Sequence, residues 1–473
     1  MNLKHLLPVI FLVILIGCNS STEQEQDVKR PNIIYIMTDD MGYGDLGSYG
    51  QQVIQTPNLD QLASEGVLFT QAYTAASQCV PSRAAILSGR NVLDIRMMRF
   101  SSPLPKDVKT IPDYLREKGY YTGICGRHYH LDGSAYKAQE TVETFEKYDM
   151  VTFPDRVHYL KEGSDDEVLG QFTTFLNEAP EGKPFFMWMN YSDPHRRFTA
   201  PDFEPDPQKI TVPPSMPDIP ELREDLAAHL GEINRLDENV GLVLNEIKNR
   251  GLEKNTLIIF IGDNGAALLR GKGTLYDLGL HVPLIVKWPG RVSENSEEDF
   301  LVSGEDLLPT ILDAAGIKPD KNVTGKSMLP VLNGEKYENH KYLFAQRTTH
   351  GSGLPTQSAR FDVVRTVYNK DYRLIYNINW RVPYTPVDFQ NGAMWKQLNK
   401  MHEQGTLEEK FDNAFFANPR RMFELYDRKD DPYEFNNLIN DPEYATTAHQ
   451  LKAALHEWMI LYEDYANLPI SPR

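Results

Sequence analysis

The sequence predicts an α/β fold, a mostly parallel sheet with helices on both faces, followed by a smaller C-terminal α+β domain. Three observations carry that expectation. Residues 33–37 and 257–261 are short, continuous apolar runs rich in β-branched and aromatic side chains, the pattern of strands buried on both faces. Between them, further apolar runs alternate with stretches of helical period. Beyond Gly334 the texture changes to runs joined by tight turns, with one last helical stretch near the end.

At 473 residues the chain exceeds one ordinary domain, and the expected division is 31–335 and 336–473. The start reads differently. Lys4, an apolar run over 6–16 and then Gly17-Cys18 make a signal peptide too short to span a bilayer stably. Leu15-Ile16-Gly17-Cys18 resembles a bacterial lipobox, which implies a leader over 1–18 and a mature chain lipidated at Cys18. Export to the periplasm or the outer surface, with a membrane anchor, is the expectation. Residues 19–30 are polar without period and read as a tether. The net charge of −17 argues against a general binder of polyanions, nucleic acid included, so an anionic substrate needs a local basic cleft.

Taken in order, the run over 33–37 stops at Thr38-Asp39-Asp40. Thr56-Pro57, then Leu59, Leu62 and Ala63, with Gly66 closing, form a short helix with start and stop signals. A helix over 111–118 ends at Gly119, and strands follow over 121–125 and 185–189. Cys125 therefore belongs to the core. Seven prolines from Pro201 to Pro220 exclude regular structure and leave an extended loop suited to walling a cleft. Leu226, Leu230, Ile233, Val240, Leu244 and Ile247 share one helical stripe, closed by Gly251. The strand over 257–261 then runs into Asp263-Asn264. In the C-terminal part, strands are expected over 342–346, 363–368 and 373–378, and a helix over 446–462.

Open α/β sheets bind ligands at the carboxyl ends of their strands, which is where Asp39, Asp40, Asp263 and Asn264 fall. Either pair alone is an ordinary strand-end turn. Together, three carboxylates at one rim repel unless a hard divalent cation with oxygen ligands joins them, calcium ahead of magnesium. Cys79-Val80-Pro81-Ser82-Arg83 has the layout of a reactive residue at a helix N-terminus, where an anion meets unpaired N–H groups. With Cys18 lipidated, only Cys79 and Cys125 remain, and no disulfide framework is expected.

The same five residues match the CxPSR signature of the formylglycine-dependent (type I) sulfatases, and the rest of the chain resembles that family. Asp39-Asp40-Met41-Gly42-Tyr43-Gly44-Asp45 resembles its N-terminal metal motif and Asp263-Asn264-Gly265 its distal one. The branch most similar is that of N-sulfoglucosamine sulfohydrolase, through Asp193-Pro194-His195-Arg196, the stretch 372–379 and Glu424-Leu425-Tyr426-Asp427-Arg428. The resemblance implies an alkaline-phosphatase-like sheet and a Cys79 oxidised by a maturation enzyme, a formylglycine-generating or anaerobic sulfatase-maturing one, to an aldehyde that also ligates the metal. It implies that one hydroxyl of the hydrated aldehyde attacks sulfur, that Arg83 holds that residue, and that Arg127 and Lys272 stabilise the sulfuryl oxygens. It assigns His195 as acid to the leaving group and His130 as the base that expels sulfate.

One motif fits imperfectly. The family's Gly-Lys-x-His is here Gly126-Arg127-His128-Tyr129-His130, so arginine replaces lysine and the histidine is displaced by one place either way; His130 is preferred to His128. Sulfated glycans, algal such as ulvan or of heparan type, are the expected substrates, with Arg196, Arg197, Trp380, Arg381 and Tyr384 as candidate subsite walls. Two other readings stand beside this one: a phosphodiesterase or phosphonate hydrolase of the same superfamily, and a non-catalytic lipoprotein that binds sulfated glycans.

Overall fold

The structure, a computed structural model, describes residues 30–98, 103–134, 139–350, 360–464 and 466, the side chains at 129, 130, 139 and 140 excepted. The leader, Cys18 and most of the tether lie outside the described residues, as does the side chain of His130.

The first part carries β1 (Asn32–Thr38), β2 (Val67–Phe69), β3 (Ala72–Tyr73), β4 (Tyr121–Gly126), β5 (Tyr159–Glu162), β6 (Phe185–Asn190), β7 (Thr256–Gly262), β8 (Leu284–Lys287), β9 (Ser296–Glu298) and β10 (Val302–Ser303). Eight of these form one sheet in the order β5-β4-β6-β1-β7-β8-β2-β9, while β3 and β10 pair separately. Every pairing in the large sheet is parallel except those of β8, which runs against β7 and β2. The apolar runs sit at its centre, where β1, β6 and β7 are buried on both faces. Along β1, Ile33, Tyr35 and Met37 join the layer of helices Cys79–Ser88, Ile111–Glu117 and Leu307–Ala314. Ile34 and Ile36 face the opposite layer, built by helices Pro57–Ser64, Val168–Glu178 and Pro220–Asn249.

The second part is a four-stranded antiparallel sheet, β11 (Leu343–Thr349), β12 (Phe361–Tyr368), β13 (Tyr372–Asn377) and β14 (Phe423–Asp427), in sequential order. One face takes the helix Ala445–Leu461, through Leu451, Leu455 and Trp458 against Val367, Leu374 and Leu425. Val364, Tyr368, Ile375 and Tyr426 on the other face pack against Tyr73, Leu275 and Leu280 of the first part, so one apolar layer serves both.

The elements that were expected differ mainly at their ends. The long helix starts at Pro220 rather than near Leu226, because proline at the first helical position supplies the right φ and lacks only an N–H that would be unpaired anyway. The proline-rich segment before it holds two single-turn 3-10 helices, Pro201–Phe203 and Pro207–Lys209. Ile210, Thr211, Pro213, Ser215 and Met216 of that segment line a cavity of about 680 Å³ that Gly42 to Asp45 also line. Strand β14 and helices Ala393–Glu403 and Glu409–Phe416 are further elements, the two helices burying Met394, Trp395 and Leu398, and Phe411 and Phe415, on one side. Among the described residues no helix is long and apolar enough to cross a membrane.

Candidate active site

Register places the site. Met37 pairs with Asn190, Asn190 with Gly126, and Thr38 with Gly262, so the parallel strands β4, β6, β1 and β7 stop side by side. The residues that follow them, Arg127, His195, Asp39-Asp40 and Asp263-Asn264, are thereby delivered to one rim. Asp40 turns the chain at φ 67°, a conformation aspartate tolerates better than most residues, and its N–H donates to Asp263 Oδ1 at 3.0 Å. That bond ties the two acidic pairs together.

The helix Cys79–Ser88 brings in the fifth component. Pro81 sits in its first turn, where its missing N–H costs nothing, and the whole helix is buried. Cys79 and Arg83 are one turn apart and share a face. Cys79 Sγ donates to Asp39 Oδ1 at 3.0 Å and lies 3.8 Å from Asp40 Oδ1. Burial first, and then the charge of Asp39, push its thiol well above the ordinary range. Arg83 Nε donates to Asp263 Oδ2 at 2.7 Å, its Nη1 to Asn190 Oδ1 at 2.8 Å, and its Nη2 lies 3.3 Å from Asp39 Oδ2. Arg83 therefore ties the two acidic pairs to the end of β6, one turn from Cys79.

Two further cations and two imidazoles stand around these groups. Arg127 Nη1 lies 3.2 Å from Asp39 Oδ2. Lys272, at 2% exposure no solvated loop lysine, donates to Asp40 Oδ2 at 2.9 Å and lies 2.7 Å from Asp388 Oδ2. Burial opposes its charge, but Asp388 and Asp40 hold it protonated far above the usual range. His195 Nε2 is 3.8 Å from Asp40 Oδ2 and 4.0 Å from Asp388 Oδ2, and burial together with Lys272 lowers its pKa. His128 is buried and pairs through Nδ1 with Asp132 Oδ2 at 2.9 Å.

Asp39, Asp40, Cys79 and Asp263 each present a ligand atom, and these atoms all lie within 4.8 Å of one another. The fit to a cation can be tested on Asn264. Its Nδ2 donates to Asp40 Oδ1 at 2.9 Å, while its buried Oδ1 has no hydrogen-bond partner among the described residues. A buried acceptor left unpaired is costly, and an oxygen-ligated divalent cation would satisfy it and the crowded carboxylates together. Burial and then Asp39 push Asp263 upward, the strain that such a cation relieves. The donor set fits.

Sequence reasoning missed the residues that set these groups in place. Asp388, in a segment without period, and His350, at the end of β11, share no motif with the strand ends. Arg235, on the long helix, grips Asp193 Oδ2 and Oδ1 at 2.9 and 2.7 Å, and Asp165 accepts the N–H groups of Ser192 and Asp193, which fixes the loop carrying His195. Two candidate subsite walls are otherwise engaged. Arg196 forks onto Asp225 between the rings of Phe198 and Phe389, and the hydroxyl of Tyr384 accepts from Arg270 N. Arg197 and Arg381 are exposed, and Trp380 is half-buried. Cys125 is a buried core thiol in β4.

Carboxylates clustered at a sheet rim and faced by arginine and lysine make a hydrolase site for an anionic ester. The sulfatase family model matches residues 31–317, and a second model, N-sulphoglucosamine sulphohydrolase, C-terminal, matches 269–379. The chain belongs to the sulfatase family and is a sulfuric ester hydrolase. It is 30% identical to human (Homo sapiens) N-sulphoglucosamine sulphohydrolase, over 91% of this chain and 90% of that one. It is 28% identical to an ulvan-active sulfatase of Formosa agariphila, over 94% of this chain and 77% of the relative. Among solved structures, that of BT4656 in complex with its substrate D-glucosamine-2-N,6-O-disulfate superposes with a TM-score of 0.69 at 20% identity, covering 92% of this chain and 99% of the other.

Proposed function

We propose that the protein removes sulfuryl groups from sulfated saccharides, with residue 79 as nucleophile after conversion of its cysteine to formylglycine. One divalent cation, calcium ahead of magnesium, is held by Asp39, Asp40, Asp263 and Asn264 together with residue 79. The observation that carries this reading is the placement of Cys79 Sγ against Asp39, with Arg83 and Arg127 against that carboxylate and Lys272 against its neighbour Asp40.

Loaded with metal and aldehyde, the site would supply an acidified oxygen nucleophile and draw charge from the sulfuryl oxygens. The chain's own residues do the rest. Arg83 fixes Asp39 and Asp263 relative to each other, so the ligand set is organised before substrate arrives. Lys272 and Arg127 present N–H donors where negative charge grows on the sulfuryl oxygens. His195 stands at the leaving-group side to deliver a proton as the sugar oxygen, or the nitrogen of a sulfamate, departs. His128 is committed to Asp132, which supports His130 as the base that receives the last proton. Ulvan-type and heparan-type glycans are the substrate classes to test, since relatives of both kinds align over nearly the whole chain.

The partner enzyme is a formylglycine-generating or anaerobic sulfatase-maturing one. Export with a lipid anchor on Cys18 is part of the same reading and rests on the leader sequence. Lipid labelling lost in Cys18→Ala would support it. The activity is tested by sulfate release from defined sulfated saccharides, with the matching phosphate esters as controls. Turnover of the sulfated set supports the reading, and release confined to phosphate esters or phosphonates contradicts it.

A further inference from the structure

The rim of the site carries a carboxylate to which the reaction described above gives no task. Asp388 is held on three sides: Oδ2 lies 2.7 Å from Lys272 Nζ and 4.0 Å from His195 Nε2, and Oδ1 lies 3.4 Å from His350 Nε2. Gln78, the residue before Cys79, donates through Nε2 to His350 Nδ1 at 2.9 Å. The ring proton of His350 therefore belongs on Nε2, pointing at Asp388. Asp388 takes a positive φ of 68° and keeps its side chain 25% exposed, so it is held by its neighbours yet still reachable from solvent.

The distance to His195 gives this carboxylate a use. Two acceptor or donor atoms 4.0 Å apart can be bridged by one atom that makes a hydrogen bond of about 2.8 Å to each. With the leaving atom at His195, the role proposed above for that imidazole, a sugar substituent beside that atom comes within reach of Asp388. An ionised carboxylate only accepts hydrogen bonds. It welcomes a hydroxyl or amine there, and it opposes a second sulfate or a carboxylate by like-charge repulsion.

We propose that Asp388 is a specificity-determining residue that selects saccharide units with a hydroxyl or amine next to the scissile sulfuryl group and rejects units with a second anionic group there. The inference rests on the saccharide reading of the preceding section. Its test compares kcat/KM for each monosulfated unit with that for its counterpart sulfated also on the adjacent position. The probes are glucosamine 2-N-sulfate against the 2-N,3-O-disulfate, and rhamnose 3-O-sulfate against the 2,3-di-O-sulfate. Wild type should prefer the monosulfated member of the pair it hydrolyses by about tenfold or more.

Asp388→Asn keeps a residue that accepts positive φ while removing the charge, and Asp388→Gly accepts that φ with no side chain at all. In either folded variant the preference should shrink by about fivefold or more, through KM, because the repulsive charge is gone. A purely structural role through Lys272 would slow both members of a pair alike and leave the ratio where it was. An unchanged ratio in both variants, or no preference in wild type, overturns the proposal while leaving the saccharide sulfatase reading standing. Failure of the wild type to release sulfate from any saccharide overturns that reading and the proposal with it.

Discussion

Cys79 and Asp39, forty positions apart in the chain, meet at 3.0 Å between Sγ and Oδ1. The helix that starts at Cys79 and the strand that ends before Asp39 have no local reason to approach each other; the packing of that helix on the sheet brings them together. The contact makes the CxPSR stretch and the Asp-Asp pair parts of one site.

Arg83 is the first residue to test, because it is fully buried against two carboxylates. Arg83→Met leaves Asp39 and Asp263 without their countercharge and should lower stability by about 3–5 kcal/mol in chelator-treated protein, read by urea unfolding. A loss below about 1 kcal/mol would show that the pair is not what organises the ligand set.

Removal of the divalent ion by a chelator should abolish sulfate release and lower Tm, since the ion binds the folded chain through carboxylates that otherwise repel. Calcium should restore both, more fully than magnesium. A Tm indifferent to chelator and to added calcium would contradict a cation at Asp39, Asp40, Asp263 and Asn264.

Arg235 reaches the reaction only through the loop carrying His195, so it is a positioning residue. Arg235→Ala should reduce kcat by about tenfold to a hundredfold with a small change in KM, because a loosened loop misplaces the proton donor. Arg235→Lys, which retains the charge toward Asp193 and Glu232, should recover part of the loss. Equal activity in all three proteins would remove the loop from the account.

The central strands and the residues at their ends were legible because each has a local signature: a continuous apolar run, then oxygen-bearing side chains. Asp39, Asp40, Asp263, Asn264, Cys79 and Lys272 were all found that way or through the family's motifs, and the structure brings all of them together. Asp388, His350 and Arg235 were not, since their roles arise from tertiary approach and each sits in an unremarkable local sequence. The short strands β2, β8 and β9 were missed for a related reason: they pair at the sheet's far edge, where partners rather than propensity decide the conformation. Arg196 and Tyr384 have partners within the protein, Asp225 and Arg270 N, which no local pattern in the sequence announces.

Glu305 offers a pH test away from the site. Burial pushes its carboxyl up to about 7, against the bond that Thr324 Oγ1 donates to Oε2 at 2.5 Å. The unfolded carboxyl titrates near 4.3, so between that value and about 7 the folded chain holds the extra proton. This group's share of stability is full below that window and is lost as pH rises through it. Glu305→Gln should therefore flatten the fall of Tm between pH 5 and 8, and an unaltered slope would contradict the assignment.

The measurement that bears most directly on the whole account is mass spectrometry of the peptide containing residue 79, paired with sulfate release, on preparations made with and without a co-expressed maturation enzyme. Specific activity should rise in proportion to the fraction of residue 79 present as aldehyde, and folded Cys79→Ala and Cys79→Ser proteins should release no sulfate. Full activity from a preparation whose residue 79 is entirely unmodified cysteine, or from the alanine variant, would contradict the claim that this position carries the reaction.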